Sequence, residues 1–129
     1  MLFRSPTEFL AATPAFAVSD IERSVAFFEH SLGFDAVVVE TGFALLRRDS
    51  VALSLWLADG SARGAERELA GTVSCRIEVS EVDDWFEHCS AVGCVHPNGH
   101  LRDTEWGTRE FAVLDPDCNL VSFWRRLAL

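Results

Sequence analysis

A chain of 129 residues with 49% hydrophobic content, ten Phe and four Trp has the length and apolar mass of one folded domain, which excludes disorder. Its formal charge of −9 disfavours nucleic acid and anionic membrane as partners. That charge is compatible with a cationic ligand, although surplus carboxylates are also the ordinary route to solubility.

No apolar run approaches the length of a membrane span, and Met1 to Glu8 lacks the apolar region of a signal peptide. The expectation is a soluble cytoplasmic protein with a loose leading arm over residues 1–11. The four cysteines, at 75, 89, 94 and 118, match no zinc spacing and form no Cys-x-x-Cys motif. They read as small buried hydrophobes.

In chain order, Ala12 to Val18 is a short strand, with Pro14 near its start. Ser19 to Glu22 has the form of a capping box, with Ser19 as the N-cap. The helix that follows places Ile21, Val25, Phe28 and Leu32 on one face, and Gly33 stops it. Three strands come next, Phe34–Glu40, Phe43–Arg48 and Val51–Leu57, separated by Thr41-Gly42 and Asp49-Ser50 turns. Residues 12–57 thus form a first β-α-β-β-β module, and the polar, glycine-bearing stretch 58–72 reads as a linker.

The same order then returns over residues 73–129. Val73 to Val79 is a strand, and Ser80 to Asp83 is a second cap. A helix follows with Val82, Trp85 or Phe86, Cys89 and Val92 inward, and Gly93 ends it. The segments Val18-Ser19-Asp20-Ile21 and Val79-Ser80-Glu81-Val82 lie 61 residues apart, and the two glycine stops lie 60 apart. Cys94 to Arg102 is a weak strand. Thr108 to Leu114 and Leu120 to Trp124 form a closing hairpin around the turn Asp115 to Asn119. The expected fold class is α+β: two βαβββ modules forming a curved mixed sheet with a concave ligand face. They constitute one structural domain.

The run W-G-x-R-E-F-A-V-x-D-P-x-x-N (Trp106 to Asn119) resembles the closing hairpin of the vicinal oxygen chelate superfamily, most of all its glyoxalase-fold bleomycin-resistance proteins. Val18 to Phe28, Leu32-Gly33-Phe34 and Ala91-Val92-Gly93 extend the resemblance over about residues 12 to 126.

Metal-dependent members of that superfamily carry His, Gln or Glu on the concave side of their strands. By resemblance those positions fall on Thr13, Ser54, Ser74 and Ser122, whose hydroxyls are too weak as donors for a divalent transition metal. His30 and His88 read as solvent-facing. His96 and His100 are separated by Pro97 and Gly99 and cannot ligate from a helix. No Ser-His-Asp order or nucleophile elbow is present. The reading is therefore no metal, no cofactor and no catalytic residue, with a metal-dependent glyoxalase- or dioxygenase-type enzyme as the alternative.

Strand alternation puts Ala15, Ala17, Ser54, Trp56, Ser74, Arg76, Glu78, Leu120, Ser122 and Trp124 on one face, with Trp106 on the loop beside it. Indoles around a small-residue floor suit a planar heteroaromatic ligand or a cation over a ring face. Equally, Trp56 and Trp124 suit packing against a second subunit. Glu110 and Glu78 are a candidate pair on this face, with Arg76 and Arg109 at hand as partners.

The resemblance implies a homodimer that sequesters a planar, cationic antibiotic of the bleomycin type, unchanged, in crevices shared between subunits. It nominates Trp106 and Phe34 as ligand contacts. Cys118 stands where the family's turn has glycine.

Overall fold

The computed structural model describes residues 5–61 and 64–128. The first module runs β1 (Ala15–Val18), α1 (Ile21–His30), β2 (Asp35–Val39), β3 (Phe43–Arg48) and β4 (Val51–Leu57). The second runs β5 (Ser74–Glu78), α2 (Val82–Ala91), β6 (Arg102–Asp103), β7 (Thr108–Leu114) and β8 (Leu120–Arg126). Each makes a four-stranded mixed sheet of identical layout, β1-β4-β3-β2 and β5-β8-β7-β6, with the first and last strands of the module parallel. The two-module α+β architecture is the one the repeat implies. Among the described residues no strand pair joins the two sheets.

The helices begin 61 residues apart, as the repeat requires. Gly33 and Gly93 end them with φ of +71° and +78°, the left-handed region where a Cβ is strained. The caps differ from expectation. Asp20, not Ser19, is the N-cap of α1, its carboxylate accepting from the Arg23 amide at 3.0 Å. Ser19 is drawn away by the other module, its amide donating to Asp117 at 3.1 Å and its hydroxyl to the same carboxylate. Glu81, not Ser80, precedes α2, and no side chain caps it.

The strand expected over Cys94 to Arg102 is reduced to β6 and one bridge, Val95 to Val113. Pro97 lacks a donor and Gly99 weakens the ladder, so pairing cannot run through. Of the leading arm, residues 5–11 are exposed and outside regular structure, while residues 1–4 lie outside the described residues. In the stretch 58–72 the chain makes a 3-10 turn, Arg67–Leu69, and residues 62–63 lie outside the described residues.

One apolar core spans both modules. Phe16, Phe28, Leu46 and Leu55 come from the first, Ile77, Phe111, Val113 and Phe123 from the second. Val92 falls just past the end of α2 and is 45% exposed rather than inward. Cys89 is buried as expected, but Cys118 is exposed, at φ +72° in the β7–β8 turn.

That turn fastens the modules together. Asn119 is fully buried, and its side-chain amide donates to Ala17 O at 3.0 Å and to Asp115 at 2.9 Å while accepting from the Val73 amide at 3.0 Å. Asp115 in turn accepts from the amides of Asp117 and Asn119. Burial pushes the Asp115 carboxyl up, and the hydrogen bonds from Asn119 oppose the shift.

Candidate binding face

Alternation along each strand sends one set of side chains into the core under the helices and leaves the other set on a helix-free face. On the first sheet Ala15 stands beside Ser54, and Ser54 beside Leu45. One step on, Ala17 stands beside Trp56, and Trp56 beside Phe43. On the second sheet the rows are Ser74, Leu120 and Leu114; Arg76, Ser122 and Ala112; and Glu78, Trp124 and Glu110. The ten residues expected on one face are split between the two sheets, four on the first and six on the second, and no strand pair joins those sheets among the described residues. Extending the same rule to β3 and β7 would have added Phe43 and Thr108. Arg102, beside Glu110 on the two-residue β6, left no periodic signal.

The indoles are held in place. Trp56 is 36% exposed, its Nε1 donates to Ser54 Oγ at 3.1 Å, and Phe43 meets it edge-on at 4.6 Å. The Ser54 hydroxyl donates to Pro14 O at 3.2 Å, so it is fully engaged. Trp106 is 64% exposed, with its Nε1 directed at Glu110 at 3.4 Å.

Glu110 is the hub of the second face. It accepts two bonds from Arg76, at 3.1 and 2.8 Å, and one from the Thr108 hydroxyl at 2.6 Å. The Arg76 guanidinium beside it holds the Glu110 carboxyl down, from 4.5 to about 2. Burial opposes that shift, and Thr108 and Trp106 add to it. Arg76 also lies 5.4 Å above the Trp124 ring, and Arg102 lies 5.9 Å above the Trp106 ring. One carboxylate thereby orients both indoles of this face, Trp106 directly and Trp124 through Arg76. Its Arg76 pairing resolves the two partners open to it, because Arg109 turns to Asp103 at 2.7 Å and Asp83 at 3.3 Å instead.

Four arginines, Arg47, Arg76, Arg102 and Arg126, share the helix-free faces with three carboxylates, Asp35, Glu78 and Glu110. The acidic surplus sits elsewhere, for example on the exposed sides of α1 and α2. Glu78 is exposed and has no ion-pair partner among the described residues.

Phe34 does not join this constellation. It is 5% exposed, its amide bonds to Phe28 O at 2.9 Å, and its ring packs edge-on against Phe28 at 5.7 Å. The positive φ of Gly33 turns the chain back under α1, which carries Phe34 into the core.

A transition metal finds no fitting donors here. Thr13 and Ser74 are exposed hydroxyls, the Ser54 hydroxyl is consumed, and Ser122 stands between Arg76 and Ala112. Among the described residues no three His, Cys, Asp or Glu side chains converge as a metal site would require. His88 lies late in α2 and bonds Ser31 O at 2.8 Å, and His96 accepts from the Asn98 amide at 2.9 Å.

A family model described as the glyoxalase/bleomycin resistance protein/dioxygenase superfamily matches residues 11–123. Proteins named bleomycin resistance protein from Geobacillus stearothermophilus and Staphylococcus aureus are 41% identical over 129 residues, covering 92% of this chain and 98% of theirs. Among solved structures, the bleomycin-binding protein of Streptomyces verticillus complexed with copper(II)-bleomycin superposes with a TM-score of 0.76. It is 25% identical, over 95% of this chain and 99% of that one. A second bleomycin-binding protein, complexed with bleomycin, superposes with a TM-score of 0.70 at 25% identity, over 92% and 99% of the two chains.

Proposed function

Because the chain belongs to the glyoxalase/bleomycin resistance protein/dioxygenase superfamily, we propose that it is one of the superfamily's metal-free binders, sequestering a bleomycin-type glycopeptide antibiotic without altering it. The observation that carries this reading is the pair of helix-free faces. They display Trp56, Trp106 and Trp124 over small neutral residues, and the positions that would need imidazole or carboxylate hold hydroxyls. The 41% identity to bleomycin resistance proteins supports the choice of ligand.

A planar heteroaromatic group gains apolar contact and offset stacking against exposed indoles. In this reading the ligand's cationic portion meets Glu78, which stands beside Trp124 and has no ion-pair partner among the described residues. On these faces Trp56 and Trp106 are 36% and 64% exposed, and Val38, beside Leu45, is 36% exposed. A cytoplasmic homodimer, with a face of one subunit closing over a face of the other, would make the crevice and bury that apolar surface.

Titrating metal-free bleomycin while following tryptophan fluorescence tests the reading. Quenching at micromolar drug is expected, and Trp106→Ala should weaken binding about tenfold or more while leaving the fold intact. Absence of quenching refutes sequestration. Stoichiometric Zn, Ni, Mn or Fe in the purified protein would instead establish the metal-dependent alternative.

A further inference from the structure

A cavity of about 380 Å³ opens between the two modules, lined by neither Trp106 nor Trp124. Its lining is apolar: Phe34, Val51, Ile77 and Phe123, with Trp85 as one wall. Four exposed carboxylates, Asp49, Glu78, Glu81 and Asp84, line it as well, against the single cation Arg48. The Arg48 guanidinium lies 4.7 Å over the Trp85 ring and donates to Leu32 O at 2.7 Å, with Asp49 at 3.7 Å. His88 stacks parallel on the same indole at 4.7 Å. The wall of the cavity thus already accepts a flat delocalised cation, supplied by the chain itself, and carboxylates outnumber that cation.

We propose that this cavity is a second binding site, which takes a small organic cation of the same kind: an amidinium or guanidinium on an apolar stem. The stem would be buried against Phe34, Ile77 and Phe123, and the charged head would lie at the mouth, near Glu81 and Asp84. The volume falls in the range of small-molecule pockets. Charge separates this site from the indole faces. On those faces four arginines stand against three carboxylates, whereas the cavity sets four carboxylates against the single Arg48. The two sites meet only at Glu78, and the inference does not depend on antibiotic sequestration.

The probes are benzamidine and its neutral isostere benzamide, titrated into the full chain at low salt by calorimetry and saturation-transfer NMR. Benzamidine should bind about tenfold more tightly than benzamide. The double variant Glu81→Gln/Asp84→Asn, altered only at exposed positions, should lose most of that preference. Trp106→Ala should bind benzamidine as the parent does. The proposal is overturned if benzamidine fails to bind, if benzamide binds equally well, or if the double variant is unaffected. Loss of benzamidine binding in Trp106→Ala would also overturn it, because the cation would then sit on the indole face. Bleomycin quenching in the parent, measured separately, reports on sequestration whichever way the benzamidine result falls.

Discussion

Replacing Glu110 by glutamine keeps the size of the side chain and removes its charge. In the parent this carboxylate is 7% exposed and accepts from Arg76 twice, from Thr108 and from Trp106. A depression from 4.5 to about 2 corresponds to about 3 kcal/mol of preference for the ionised folded state. The Arg76 side chain is 48% exposed, so solvent screening reduces that to about 2 kcal/mol. Folding lowers this pKa, so the contribution is fully present above 4.5 and is lost as the pH falls toward about 2. Urea denaturation of parent and Glu110→Gln is the assay. At about pH 7 the variant should be less stable by about 2 kcal/mol, and by about pH 3 the gap should shrink to less than half. A gap that is absent at neutral pH, or the same at both pH values, would refute the assignment of Glu110 as an ionised hub. Because Trp106 and Arg76 both hang from it, the variant should also bind bleomycin more weakly.

Asn119→Ala removes three side-chain hydrogen bonds and leaves Ala17 O and the Val73 amide without partners. At about 1 kcal/mol each, denaturation should show a loss of about 3 kcal/mol. Cys118→Gly should raise the stability by about 0.5–1 kcal/mol, seen as a higher melting temperature, because φ of +72° strains any residue with a Cβ. Gly33→Ala should act in the opposite direction. Its backbone is at φ +71°, and the new methyl would meet Arg48 Nη1 at 2.9 Å, so the melting temperature should fall.

Periodicity is a local property, and what it governs was readable from the chain. The twofold alternation in β4, β5 and β8 put Ser54, Trp56, Arg76 and Trp124 on the face where they stand, because successive residues of a strand must point to opposite sides. The 61-residue repeat placed both helix starts, since a polar cap followed by an apolar stripe is written within a few residues. Cys118 stands where the resembling turn has glycine, and the structure gives it a φ of +72°.

Side chains with more than one possible partner were settled only by the fold. Ser19 and Asp20 could each cap α1, and Asp117, 98 positions from Ser19, decided between them. Glu110 had two arginines in reach along the sequence, and the pairing of β5 with β8 and β7 gave it Arg76. Phe34 read as a ligand contact, but the backbone at Gly33 sends it inward. The charge total gave no hint that arginines collect on the indole faces while carboxylates ring the cleft between modules. Partner choice over such separations depends on which surfaces the chain brings together, and no local pattern encodes it.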